Sequence, residues 1–275
     1  MPALAASRRL VLVAGSPSHP PGLHEFRAGA LLLAECLDAV PGLVVDVHDH
    51  GEIPDLRADE VDAVVIYSDG GPSHPIRTSG AAERLDGLAR AGVGIGLMHY
   101  AVEALQGDHD DLLRWIGGVY LEGISCNPIW EASIEQLPEH PIANGVSPFT
   151  LTDEWYFGIR FTQDPHLAID PILVASPSDE VRGGPYIWPH GPYEHVVAAS
   201  GHPETLMWAT QRPDGGRAFG LNGGHVHSNW ADTNFRRVVL NALVWVTGAD
   251  VPAGGIDSTV SDALLAANLD SKPTP

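Results

Sequence analysis

The sequence predicts an α/β fold built on a parallel sheet, and three observations carry that reading. Short, wholly apolar runs recur, among them LVLVA at residues 10–14 and AVVIY at Ala63–Tyr67, each the length of a buried strand. Helix-period segments alternate with them, the order expected of βαβ units with right-handed crossovers. With 275 residues, 44% of them hydrophobic, the chain can bury a substantial core.

Taken in order, residues 10–14 form the first strand, followed by a loop rich in Ser, Pro and His. Apolar spacing predicts a helix over residues 23–39. Leu43–His48 alternates as a second strand and Ala63–Tyr67 is a third. Residues 81–91 read as a helix, and residues 93–98 as a fourth strand that runs into His99, Tyr100 and Ala101. Residues 116–213 are proline-rich, with strand-like runs at 130–136, 172–175, 195–199 and 207–210 that elaborate the same sheet. Arg217–Leu221 is a further buried strand. Asp232 is placed to cap a final helix ending at Val246, with Gly248 as its stop. Residues 1–250 are thus read as one domain. Residues 251–275 form a tail, packed on the surface or against a second subunit of a homo-oligomer.

Charge narrows the function classes. The formal net charge is −20, and Lys272 is the only lysine. Such a chain is repelled by phosphate backbones and anionic lipid, so neither nucleic acid nor membrane is an expected partner. The apolar run after Arg8 and Arg9 is too short for an export signal and fits a strand, so a cytoplasmic location is expected. Two cysteines, Cys36 and Cys126, lack the paired spacing of a disulfide framework or zinc-thiolate site. No phosphate-loop pattern is present, so no nucleotide is expected.

Histidines mark the ends of the predicted strands, the edge where open α/β sheets bind ligands. GLNGGHVHSNW follows the strand at Arg217–Leu221 and supplies His225, His227, Asn229 and Trp230. On an extended chain, residues two apart point to one side, so His225 and His227 could form a metal-ligand pair. SPSHPPGLHEF at residues 16–26 brings His19, His24 and Glu25 to the first strand's end. GLMHY at residues 96–100 puts His99 and Tyr100 where related enzymes display a Cys or Ser nucleophile. TDEWY at residues 152–156 sets Asp153 and Glu154 beside Trp155 and Tyr156, aromatics suited to stacking on a sugar. Each motif has a plainer reading: a stiff loop for the first, a core-edge histidine for GLMHY, a capped turn with a solvated Glu154 for TDEWY. His48-Asp49-His50 reads as a polar surface turn.

Together, SHPPGLHEF, GLMHY, HPIANGVSPFTLTDEWY and GGRAFGLNGGHVHSNW resemble the trehalose-utilisation ThuA-like family over roughly residues 10–248. The resemblance implies a flavodoxin-like, class I glutamine amidotransferase-like sheet flanked by helices, without the cysteine nucleophile. Met98-His99 agrees with that loss, and His225 would sit near an amidotransferase's catalytic histidine. It also implies carbohydrate catabolism, with a disaccharide or 3-keto sugar as substrate and a pathway oxidoreductase as partner. The Pro/Gly-rich loop at residues 182–192 departs from the plain pattern and would reshape the pocket.

The expected site combines His24, His99, Glu154 and His225 as acid–base residues at the sheet's carboxyl edge. His19, Glu25, Tyr100, Asp153, Trp155, Tyr156, Asn229 and Trp230 would contact substrate. A divalent metal (zinc, manganese or iron) on His225 and His227 could polarise a carbonyl. Isomerisation, elimination and hydrolysis are all open to such a site. Two alternatives stand beside it: a Cys126-dependent hydrolase, which needs a histidine within reach of the thiol, and a sugar-binding or regulatory protein without catalysis.

Overall fold

The computed structural model describes residues 7–186, 188–189 and 192–272. Residues 187, 190 and 191 of the Pro/Gly-rich loop, and the last three residues of the tail, lie outside the described residues. In chain order the elements are β1 (Arg8–Ala14), α1 (Phe26–Leu37), β2 (Leu43–His48), β3 (Ala63–Tyr67), α2 (Ala81–Arg90), β4 (Gly94–Met98) and α3 (His109–Ile116). The middle contains β5 (Gly118–Val119), β6 (Ile129–Ile134), β7 (Phe149–Glu154), β8 (Arg160–Phe161) and β9 (Asp170–Ala175). Short α4 (Asp179–Arg182) and α5 (Glu194–Ala198) precede β10 (Glu204–Gln211), β11 (Arg217–Leu221), α6 (Thr233–Val246) and α7 (Asp262–Leu265).

Among the described residues, seven strands make the main sheet, in the order β2-β1-β3-β4-β11-β10-β9. The first five are parallel, while β10 runs antiparallel to both β11 and β9. The expected parallel sheet therefore carries an antiparallel edge: a short loop returns β10 to β11 as a hairpin, and the β9–β10 connection, which carries the short helices α4 and α5, also reverses direction. Strand alternation divides the core between two faces. Leu10, Leu12 and Tyr67 pack beneath α1 and α6, whereas Val11, Val13 and Ile66 pack against α2 and α3. Gly29 lets α1 lie close to the sheet: a Cβ there would stand 2.8 Å from the Tyr67 ring and 3.0 Å from Trp230 Nε1.

Several expectations are corrected. Residues 195–199 belong to the short helix α5 and its cap, a run too short for periodicity to separate strand from helix. β6 and β7 do not join the main sheet; they pair with each other as an antiparallel ribbon. Helix α1 starts at Phe26, not residue 23, because Leu23 bridges to Val226 and His24 has a left-handed backbone with φ 49°. Asp232 caps α6, accepting from the N–H groups of Asn234 and Phe235 at 2.9 and 2.8 Å. The tail folds back on its own chain. Leu264 and Leu265 rest on the core, and the Asp270 N–H donates to Glu25 Oε2 at 2.8 Å. No helix among the described residues is long and apolar enough to cross a membrane.

Candidate metal centre

Four segments deliver side chains to one point at the carboxyl end of the sheet. His24 comes from the β1–α1 loop, His99 from the turn after β4, His225 from the loop after β11 and Glu154 from the end of β7. Each has one ligand atom within 4.8 Å of all the others, and all four residues are buried. His24 Nε2 lies 2.8 Å from His225 Nδ1 and 3.0 Å from His99 Nε2; His225 Nδ1 and His99 Nε2 are 3.3 Å apart. Glu154 Oε2 stands 3.6 Å from His99 Nε2 and 3.5 Å from His225 Nδ1. A tetrahedral zinc with bonds of about 2.0–2.1 Å separates its ligand atoms by about 3.3 Å. The four donors are already near that spacing.

The outer partners decide what these nitrogens offer. His99 Nδ1 faces the carbonyl oxygen of Asn222 at 2.8 Å, and a carbonyl only accepts. His24 Nδ1 faces Asp69 Oδ1 at 2.7 Å. Both partners assign the ring proton to Nδ1 and leave a lone pair on Nε2. Two lone pairs thus meet at 3.0 Å with no hydrogen between them. A histidine oriented through its far nitrogen by a carboxylate or carbonyl is the usual outer arrangement of a metal ligand.

Burial enforces the neutral forms. It pushes His24 and His99 well below the usual imidazole range, helped by the neighbouring imidazoles, and lowers His225 to about 4. Burial, with Asp153 next to it, raises Glu154 to about 8; hydrogen bonds from Tyr156 and Asn127 oppose the shift. Three uncharged bases and a carboxyl group converging on one point are chemically suited to receive a cation.

Local backbone strain belongs to the same design. His19, His24 and His99 have φ of 61°, 49° and 57°, a left-handed region that non-glycine residues rarely adopt. His99 opens the 3-10 turn after β4, and its buried ring meets the Asn222 carbonyl just after β11. His24 is held by its N–H on the His225 carbonyl oxygen at 3.0 Å.

The remaining expected residues divide. His19 is at the site: it stacks on His24 with ring centroids 3.5 Å apart, and its Nδ1 is 3.0 Å from Ser18 Oγ. Tyr100 is close by, its ring 6.2 Å from that of His24, and Tyr156 packs 5.6 Å from His99. His227 is a correction. The positive φ of Gly224 and the 3-10 turn beginning at His227 break the period of two, and His227 Nε2 turns to the Leu265 carbonyl oxygen at 2.9 Å.

Asp153 is another correction, because its oxygens are used by the protein. They accept from the N–H groups of Gly224, His225 and Val226 at 2.9, 3.1 and 3.3 Å, and from Asn229 Nδ2 at 3.0 Å. Asp153 and Asn229 therefore shape the loop that presents His225. Trp155 and Trp230 are fully buried and are not stacking walls. Trp155 covers Gly223, where a Cβ would come within 2.3 Å of its ring, and Trp230 stacks on Phe235. Glu25 is engaged with Gly22, Asp270 and Lys272 and does not face substrate.

Cys126 has no histidine partner among the described residues. Burial and the charge of Glu204 push its thiol up to about 12, which disfavours the thiolate needed for a hydrolase nucleophile. Sequence reasoning missed Asp69 and Asn127. Asp69 comes two residues after the end of β3, so the strand-end rule that found the histidines could have found it. Asn127 Nδ2 donates to Glu154 Oε1 at 3.1 Å, a long-range contact without a sequence signal. A separate hollow of about 530 Å³ at the opposite end of the sheet, near Arg8, Cys36 and Gly248, gathers no comparable group of ligands among the described residues.

Two known ThuA-like structures share this fold. A ThuA-like protein from Bacteroides uniformis matches with a TM-score of 0.63 at 18% identity, covering 91% of this chain and 96% of that one. One from Parabacteroides merdae gives 0.60 at 16% identity, with coverages of 90% and 92%. A glutamine amidotransferase from Thermotoga maritima gives 0.41 at 10% identity, covering 81% and 80%. No curated protein sequence matches the chain. The ThuA family model, described as trehalose utilisation, matches residues 24–246, a span that begins at His24 and includes His99, Glu154 and His225. With most of its length so matched, the chain belongs to the ThuA family.

Proposed function

We propose that the protein is a divalent-metal-assisted acid–base enzyme acting on a keto-sugar. The observation that supports this most is the pair of fixed lone pairs on His24 and His99, converging with His225 Nδ1 and Glu154 on a single buried point. Family membership implies a carbohydrate-related role. A bound zinc, manganese or iron would neutralise negative charge developing on a sugar carbonyl oxygen.

The chain's own residues supply the rest. His19 is the base in this reading. Its ring is half-exposed at the mouth of the centre, and burial lowers its proton affinity, so it is neutral near pH 7. With Nδ1 turned to Ser18, its Nε2 is free to take the proton from the carbon beside the carbonyl. The C–H electron pair then moves into an enolate, which leads to isomerisation or to loss of a β-substituent. Asp69 holds His24, Asn127 holds Glu154, and burial excludes bulk water.

The test has two readouts. The purified, tag-free protein is expected to contain one transition metal per chain, which His99→Ala loses. It is expected to catalyse deuterium exchange next to the carbonyl of a 3-keto glucoside in D2O, at least 100-fold faster than His19→Ala. Metal-free protein that resists zinc loading sinks the metal assignment. Exchange unaffected by His19→Ala sinks the base assignment. Saturable sugar binding without exchange would favour the non-catalytic alternative.

A further inference from the structure

The strand order contains a topological switch. After β1 the chain moves outward to β2, then crosses back so that β3 lies on the other side of β1. Loops leaving β1 and β3 therefore diverge, and a crevice opens between them, the place where open α/β sheets receive ligands. Here it measures about 440 Å³, within the usual range for small-molecule sites, and its lining includes Ser16, Ser18, Asp69, Ser73, Arg77 and Thr78.

Two features give the crevice a chemical preference. Its lining is rich in hydroxyl groups and mixes donors with acceptors, which suits a polyhydroxy ring. Its electrostatics disfavour an anion. Asp69 contributes a carboxylate, and Arg77 Nη1 is paired with Asp108 Oδ2 at 2.7 Å. The only lysine, Lys272, is committed to Glu25 elsewhere. No glycine-rich phosphate loop follows β1.

Asp69 also joins the crevice to the histidines. While lining it, Asp69 holds His24 Nδ1 at 2.7 Å and lies 3.8 Å from His19 Nδ1. Ser18, on the same wall, is 3.0 Å from His19 Nδ1. We infer that this crevice is the binding pocket for a neutral pyranoside ring, with Asp69 the residue that couples ring binding to the histidine centre. The inference rests on the reading of that centre as a sugar-processing site and adds the class of sugar: neutral, not phosphorylated.

The test uses the full chain loaded with zinc and titrated calorimetrically with methyl α-glucopyranoside, trehalose and glucose 6-phosphate. At least one neutral sugar is expected to bind tenfold or more tightly than the phosphate. Thr78→Trp fills the crevice from an exposed position and is expected to weaken that binding at least tenfold with zinc content unchanged. Ser16→Trp fills it from the opposite loop and guards against a folding defect in the first variant. Asp69→Asn is expected to lower both sugar and zinc affinity. The inference is overturned if both tryptophan variants bind sugar like the wild type. It is equally overturned if the phosphate binds best, or if zinc-loaded protein binds no neutral sugar at 10 mM. A wild type that takes up no zinc removes the metal reading alone; the same titrations on metal-free protein still decide the pocket.

Discussion

Two buried polar clusters lie back to back around residues 24 and 25, and they are built on opposite principles. In the first, Glu25 accepts from the Gly22 N–H at 2.9 Å and the Asp270 N–H at 2.8 Å, and Lys272 Nζ stands 3.2 Å away. Lys272 also donates to the His24 carbonyl oxygen at 3.1 Å. Charge meets charge, and folding completes the cluster. In the second, His24 and His99 turn lone pairs toward one point, beside His225 Nδ1 and a Glu154 carboxyl oxygen, and the group itself includes no Lys or Arg. The contrast sets structure beside proposed function: a self-neutralising cluster anchors the tail, whereas the second is the one proposed above to take a metal.

The largest expected effect tests that contrast directly. His99→Ala removes one of the fixed lone pairs and should weaken zinc binding by a thousandfold or more, about 4 kcal/mol. Competition with a chromogenic chelator measures it, and an unchanged affinity would show the second cluster to be no metal site. Next is Glu25→Gln. It removes the nearer of the two carboxylates on the buried Lys272 ammonium, leaving Asp270 Oδ2 at 3.9 Å, and weakening such a pair costs up to about 3 kcal/mol. A urea midpoint within error of wild type would show that the tail clasp is not an energetic feature.

Acid should separate the clusters by pH. His225 has a folded-state pKa of about 4, below its unfolded value, so its neutral form stabilises the fold above pH 6.5 and that contribution is lost as pH falls toward 4. The maximum from this residue is about 3 kcal/mol. Burial alone would raise Glu25, but the N–H groups of Asp270 and Gly22 and the charge of Lys272 bring it below its usual value. Its contribution therefore survives to lower pH and is lost only as pH falls below the ordinary carboxylate range. Metal-free protein should thus lose stability in two stages, the histidine stage first, and His225→Gln should reduce only the upper one, to which buried His24 and His99 also contribute. Thermal unfolding from pH 8 to 3 would show it.

Most of the frame was legible because parallel strands and amphipathic helices leave strong local patterns. LVLVA and AVVIY are strands, and Asp232 caps α6. The rule that strand ends carry ligands located His24, His99 and His225. It did not distinguish His225 from His227, because the direction of His227 depends on the backbone turn at Gly224 and on the tail carbonyl of Leu265. Of the two adjacent carboxylates, only Asp153 departs from its expected place, for a related reason. Both carboxylates are buried, and only long-range contacts make one a support for the loop at residues 224–226 and the other a member of the centre. Trp155 and Trp230 misled because an aromatic beside a polar motif has the same local signature whether it covers a glycine or a substrate.

The smallest effect is the sharpest use of the contrast, because the same substitution is placed in both clusters. Glu154 is held at about 8 by burial and by Asp153, so at neutral pH without metal it is mainly the uncharged acid. Glutamine copies its shape, its lack of charge and much of its hydrogen bonding, including the acceptor that faces Asn127 Nδ2. Glu154→Gln should therefore change metal-free stability by less than about 1 kcal/mol, where Glu25→Gln costs several times that. Zinc should reverse the order. Glu154→Gln cannot supply a charged oxygen and should lose most of the thermal upshift that zinc gives the wild type, while Glu25→Gln, once folded, should keep it. Equal destabilisation by the two variants without metal, with equal upshifts in its presence, would mean that the clusters are one structural network and that their apparent division of labour is wrong.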